Sequence, residues 1–173
     1  MRYCAFLRGV NVNGTSMKMM DVVEVFKNVG LDDVCSVLAT GNILFSSENK
    51  IQDLKKNLET ELGKRFHYDC FLFIKTKKEV DEIVENSPFS KNVDFHTYCC
   101  ITEAGKASIL MEECSKLTLS EGEEVQCIND IIYWKVKKGS TLDSDFGKLL
   151  GVKKFKNLFT SRNINTLEKI SKK

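Results

Sequence analysis

The spacing of apolar residues changes in a fixed order along the first 76 residues, and that order constrains the fold more than any other feature. Residues 1–7 (MRYCAFL) have the alternation and apolar content of a strand entering a core. Residues 17–29 place Met20, Val23 and Phe26 at helical spacing, with Met19, Val22 and Val25 widening the face, and Gly30 follows where a left-handed residue closes a helix. Residues 34–38 and 43–46 read as strands joined by the turn-forming ATGN. Residues 51–66 form a second helix, with Ile51, Leu54, Leu58, Leu62 and Phe66 on one stripe, and CFLFI at 70–74 is a buried strand. Strand, helix, strand, strand, helix, strand is the order of the ferredoxin-like split βαβ unit, an antiparallel sheet with both helices on one face. Its first and third strands are central antiparallel neighbours. Leu7 and Arg8 are therefore expected beside Asn42 and Ile43.

The pattern then partly repeats. A connecting helix over 78–84 leads to NSPFS, where Pro88, the single proline, marks a break. A strand at 97–101, a helix at 104–116, strands at 124–128 and 131–136 around a turn at Asn129 and Asp130, and a helix near 144–150 follow. The expected architecture is α+β. A ferredoxin-like βαββαβ subdomain occupies 1–76, a connecting helix and loop 77–94, and a second, diverged α+β subdomain of similar pattern 95–173, ending in a basic segment and helix.

A chain of 173 residues is long enough to bury a real core, and 42% apolar with 29% charged residues is ordinary for a soluble globular protein. No apolar run approaches a membrane span, and MRYCAFLRG lacks the core and cleavage site of a signal peptide. A cytoplasmic location with no membrane partner is the expectation. The seven cysteines form an odd set without CxxC; Cys4, Cys35, Cys70, Cys99, Cys100 and Cys127 fall in strand-like runs, as reduced, buried thiols would. His67 and His96 stand far from paired cysteines, so no metal is expected. Residues 1–134 hold 15 Lys and Arg against 21 Asp and Glu, whereas residues 135–173 hold 11 against 3. That basic end suits a polyanion such as nucleic acid, or is simply a solvated face.

Two polar stretches carry candidate chemistry. GVNVNGTS (9–16) lies between a strand and a helix and has the G-x-x-x-x-G spacing of a phosphate loop, but Thr15 stands where the lysine belongs, and the expected sheet is antiparallel. Its structural alternative is a turning loop in which Gly9 and Gly14 supply backbone freedom and Asn11 and Asn13 bind peptide groups. In TSRNINTLEKI (160–170), Asn165 or Thr166 is placed to cap the last helix, which leaves Arg162 and Asn163 unexplained. A guanidinium there can hold a phosphate or carboxylate bidentately, or bond loop carbonyls. No serine, histidine and acid arrangement is apparent, and His67 and His96 read as ordinary surface or core. Phe71, Phe73, Tyr98 and Trp134 lie in strands, either on an open RNA-binding face or in the core.

LRGVNVNG (7–14), TGNILFSS (40–47), NSPF (86–89) and TSRNINT (160–166), in this order and spacing, resemble the bacterial family called domain of unknown function 1697. The resemblance covers essentially the whole chain. Departures from the family pattern are Asn13 at a usual glycine, Thr40 at a usual serine, Ser87 where asparagine is common, and Ile164 where an aromatic is usual. The resemblance implies an α+β protein with ferredoxin-like parts and implies no established activity or cofactor. The leading expectation is a binding module for a phosphate-bearing ligand, nucleotide or nucleic acid, at a polar cluster of Arg8, Gly9, Asn11, Gly14, Thr40, Gly41, Asn42, Arg162, Asn163 and Asn165, aided by basic residues of 135–173. The alternatives are a structural or protein-interaction domain whose motifs only lock loops together, and an enzyme acting on a small phosphorylated substrate, for which no general base is evident.

Overall fold

The computed structural model describes residues 1–10 and 17–173. The chain divides into two compact units, one of residues 1–81 with 169–173, the other of residues 82–168. Each contains a four-stranded antiparallel sheet.

In the first unit β1 (Arg2–Arg8), α1 (Met19–Asn28), β2 (Asp32–Ser36), β3 (Asn42–Ser46), α2 (Ile51–Phe66) and β4 (Phe71–Thr76) follow one another, and α3 (Lys77–Glu85) begins. The strand order β2-β3-β1-β4 puts β1 and β3 at the centre, as the split βαβ arrangement requires. The register pairs Phe6 with Asn42 and Ala5 with Ile43. Strand alternation sends Tyr3, Ala5, Leu7, Ile43, Phe45, Leu72 and Ile74 to the face that meets Val22, Val25 and Phe26 of α1 and Leu54, Leu58 and Leu62 of α2. Gly30, at φ +81°, closes α1 in the left-handed conformation anticipated for it. Met20 is 82% exposed, because the buried stripe of α1 runs through Val22, Val25 and Phe26.

The second unit contains β5 (Phe95–Thr102), α4 (Ala107–Cys114), β6 (Glu124–Ile128), β7 (Ile131–Lys137), α5 (Asp145–Leu150), a 3-10 turn at Lys153–Phe155, β8 (Phe159–Asn163) and the start of α6 (Ile164–Ser171). Its order, β6-β7-β5-β8, repeats that of the first sheet. The β6–β7 hairpin turns on Asn129 and Asp130, both at positive φ (50° and 64°), as a two-residue primed turn demands. Asp130 then accepts hydrogen bonds from the N–H groups of Gly105 and Ala107 and so holds the start of α4. Cys100, Ile132, Trp134 and Val136 pack against Ala107 and Leu110 of α4 and Phe146 of α5.

The opposite faces are buried as well. Cys4, Phe6, Leu44 and Phe73 in the first sheet, and Cys99, Ile101, Ile131 and Tyr133 in the second, are inaccessible or nearly so. Phe73 and Trp134 are therefore core residues, and neither described sheet offers the open aromatic face on which single-stranded RNA stacks. Cys35 and Cys127, expected to be buried, are exposed because β2 and β6 are edge strands.

Candidate functional site

In the first unit the motif residues meet through the strand register. The N–H of Leu7 donates to the carbonyl of Gly41 (2.8 Å), extending the β1–β3 ladder one residue beyond Asn42. Asn42 is fully buried, and its Nδ2 donates both hydrogens internally, to the Val37 carbonyl and to Thr40 Oγ1, each at 2.9 Å. The Val37 N–H returns a bond to the Asn42 carbonyl (2.9 Å). Gly41 sits at φ +72°, and a Cβ there would lie 2.4 Å from Val10 Cγ2 and 3.0 Å from Leu7 Cβ. Gly9, at φ +74°, turns the chain so that buried Val10 reaches that spot. Arg8 is half-buried at the end of β1, opposite Phe71 of β4. Asn11 and Gly14 lie outside the described residues. Within this unit Gly9, Thr40, Gly41 and Asn42 are thus drawn into a tight loop-to-loop contact in which the Asn42 side chain spends both amide hydrogens internally.

In the second unit the polar TSRN stretch is a strand. β8 pairs with β5, setting Arg162 opposite Cys99 and Asn163 opposite Tyr98. Arg162 is 9% exposed and its guanidinium donates to Thr160 Oγ1 and to the Ser161 carbonyl, both at 2.8 Å. The cap lies two or three residues before the expected Asn165 or Thr166. α6 begins at Ile164, so Asn165 is inside the helix, and Asn163 is the cap, its Oδ1 accepting the Asn165 N–H at 3.0 Å. The cause is the strand, which runs directly into the helix at Asn163 and leaves no loop in which Asn165 or Thr166 could stand outside the first turn.

Beside this junction lies a pocket of about 520 Å³, a volume suited to a small organic ligand. Ser87, Phe89, Lys91, His96, Lys138 and Asn163 contribute to its lining. Asn165 and Glu168 of α6 complete that side. Lys91 Nζ is paired with the Glu168 carboxylate at 2.8 Å while remaining 71% exposed. The His96 ring packs edge-on to Tyr98, with centroids 5.8 Å apart, and its Nδ1 lies 3.4 Å from Asn163 Nδ2. Sequence alone singles out Lys138 only as part of the basic stretch 135–173, and it misses His96 and Lys91. The only signal for them was their proximity to NSPF and to a strand that pairs with TSRN, and that pairing was not visible in the composition of TSRN.

The remaining chemistry of the described residues is quiet. Burial pushes the Cys70 thiol up to about 11, outweighing the hydrogen bond from the Tyr68 hydroxyl that draws it down, and burial likewise raises Cys99, Cys114 and Cys127. Thiols raised in this way are poor nucleophiles. No group of three or more histidine, cysteine, aspartate or glutamate side chains is placed to hold a metal among the described residues. Nor is any described helix long and apolar enough to cross a membrane. Of the basic residues of 135–173, Lys135 is engaged by Glu124 at 2.6 Å and Lys154 approaches Glu113 at 3.6 Å, while Lys138 faces the pocket.

The family model of a protein of unknown function, DUF1697, matches residues 1–133. The chain belongs to the DUF1697 family. Among solved structures, this DUF1697 chain is similar to the conserved bacterial protein SP0830 from Streptococcus pneumoniae, with a TM-score of 0.83 and 24% identity over 99% of this chain and 97% of that one. At that identity the likeness speaks for the fold. No curated protein matches the chain. The matched span of the DUF1697 model includes Ser87, Phe89, Lys91 and His96 of the pocket, and ends before Lys138, Asn163 and Asn165.

Proposed function

We propose that this protein is a binding module for a small phosphate-bearing ligand of the nucleotide class, held in the pocket beside β8 and α6. The observation that carries this reading is convergence. Residues of NSPF and of TSRNINT, far apart in sequence, line one cavity together with two lysines and a histidine. Lys91 and Lys138 supply positive charge, the amides and Ser87 supply hydrogen-bonding groups, and Phe89 and Phe95 supply apolar wall. Phe89 and Phe95 also flank the Lys135 ammonium, at 5.9 and 4.9 Å from their ring centres, which stiffens that wall. A cytoplasmic setting accords with the seven cysteines, none of which is in a disulfide.

The test is a thermal-shift screen of nucleotides, sugar phosphates and short oligonucleotides at low and high salt. A ligand at about 100 times its Kd stabilises by about 2.7 kcal/mol. For a chain of this size that raises Tm by roughly 5–10 °C. Lys138→Ala should weaken the response while leaving the free protein's Tm within about 1 °C. Failure of every phosphate compound to raise Tm overturns the reading. Oligonucleotide binding that vanishes with salt and ignores Lys138→Ala would assign the interaction to the basic surface instead.

A second reading holds for the first-unit motif. Complete internal use of the Asn42 amide hydrogens and the close approach of Val10 to Gly41 favour a structural lock there over a ligand contact.

A further inference from the structure

We propose that Asn163 is the positioning residue of this pocket: it holds His96 in the neutral tautomer protonated at Nε2, so that the imidazole meets a ligand as a hydrogen-bond donor. The pocket then selects an oxygen acceptor, such as a phosphate or carboxylate oxygen. The tautomer follows from the geometry alone, and the ligand class rests on the function proposed above.

The N–H of Asn165 is a donor and must meet an acceptor, so the Asn163 atom 3.0 Å away is the amide oxygen. That fixes the orientation of the whole carboxamide. Its NH₂ is then the group 3.4 Å from His96 Nδ1. An N–H on Nδ1 would set donor against donor, whereas a lone pair accepts the amide hydrogen. The neutral ring therefore carries its proton on Nε2. Strand register holds the pair in place. Asn163 of β8 is opposite Tyr98 of β5, and His96 stands two residues along β5, a diagonal neighbour on the same face. Asn163 thus does two things with one side chain, capping α6 through its oxygen and orienting the imidazole through its nitrogen.

The deciding experiment is ¹⁵N NMR of the histidine side chains in the full chain at about pH 8.5, well above the ordinary histidine range near 6.5. His67, exposed at the end of α2, is the internal reference. In the wild-type protein His96 should show an unprotonated Nδ1 in a larger majority than His67. Asn163→Asp keeps an oxygen on the helix cap but replaces the NH₂ with a second acceptor. One proton leaves Nε2 for water and one from water settles on Nδ1, with no net change, and the Nε2–H form should fall from majority to minority. An Asn163→Asp spectrum unchanged from wild type overturns the proposal. So does a wild-type His96 with the same tautomer mixture as His67, a result that needs no variant to fold.

Inorganic phosphate titrated into the wild-type sample separates the two claims. A shift at His96 Nε2 supports the donor role. If phosphate leaves His96 unmoved while Asn163→Asp inverts the tautomer, the ligand reading fails and the tautomer assignment stands.

Discussion

Gly41→Ala isolates the contact that joins the two loops of the first unit, because Gly30 provides a matched control. Both glycines occupy left-handed backbone, at φ +72° and +81°. An alanine at either position bears the left-handed strain, about 1–2 kcal/mol, partly offset by about 0.4–1 kcal/mol from the lower entropy of the unfolded chain. At Gly30 nothing lies within 4 Å of the new methyl. At Gly41 it would sit 2.4 Å from Val10 Cγ2, far inside contact distance, and 3.0 Å from Leu7 Cβ. Leu7 is part of a central strand and its Cβ cannot yield, so Val10 must move, and overpacking of this kind costs about 1–3 kcal/mol. Gly30→Ala should therefore lose roughly 0.5–1 kcal/mol, and Gly41→Ala roughly 2–4 kcal/mol. Urea denaturation followed by far-ultraviolet circular dichroism measures both. Val10→Ala removes Cγ2, so in combination with Gly41→Ala the loss should be smaller than the sum of the two single losses. Equal losses for the two glycines, to within about 0.5 kcal/mol, or strict additivity with Val10→Ala, would refute the packing argument.

Three other outcomes are expected. Glu123 is buried, and its carboxylate accepts from Trp134 Nε1 at 2.8 Å and from the N–H groups of Phe146 and Asp145, both at 3.2 Å. Glu123→Ala leaves at least two buried donors unmet and should cost about 2–5 kcal/mol, read directly in the fluorescence of Trp134, the single tryptophan. Asp130→Ala removes the acceptor of the Gly105 and Ala107 N–H groups at the start of α4 and should cost about 1–2 kcal/mol, whereas Asp130→Asn, which also tolerates positive φ, should cost less in the same denaturation assay. The Asp81 carboxyl, which burial alone would raise, is held below its usual range by hydrogen bonds from Lys77 (2.7 Å) and Ser171 (2.6 Å) and by the Lys77 charge. A depressed folded pKa means stability that is present above the unfolded value, near 3.9, and lost as pH falls through the folded one. Asp81→Asn should accordingly lower stability at neutral pH and flatten its decline below about pH 4, and an unchanged acid limb in the denaturation profile would remove Asp81 from that account.

Much of the candidate chemistry was visible in sequence only as motifs, without its partners. Thr40, Gly41 and Asn42 could be placed near Leu7, because the split βαβ order makes β1 and β3 antiparallel neighbours, but the register is displaced from the expected one, with Phe6 opposite Asn42 and Leu7 bonded to Gly41. Asn163 could not be placed beside His96, because β8 does not look like a strand. FTSRN has one large apolar residue, and an edge strand needs backbone pairing on one side only, which β5 supplies from a distant part of the chain. With β8 unread, the helix cap fell at Asn165 or Thr166, and the histidine, two lysines and asparagine of the pocket had no reason to be grouped.

What the sequence determined by itself is local and periodic: the spacing of apolar residues, the left-handed Gly30, the turn at Asn129 and Asp130, and, in the first unit, the order of elements that matches the split βαβ topology. These depend on steric and solvation rules acting within a few residues, so they can be read without knowing the partner. What only the tertiary structure decided is which polar residues are spent and which face a cavity. Asn42 and Asn163 are the same residue in similar polar surroundings. One closes a turn with both amide hydrogens, and the other divides its oxygen and nitrogen between a helix start and an imidazole. That difference rests on hydrogen-bond partners supplied by distant strands, and no local rule encodes it.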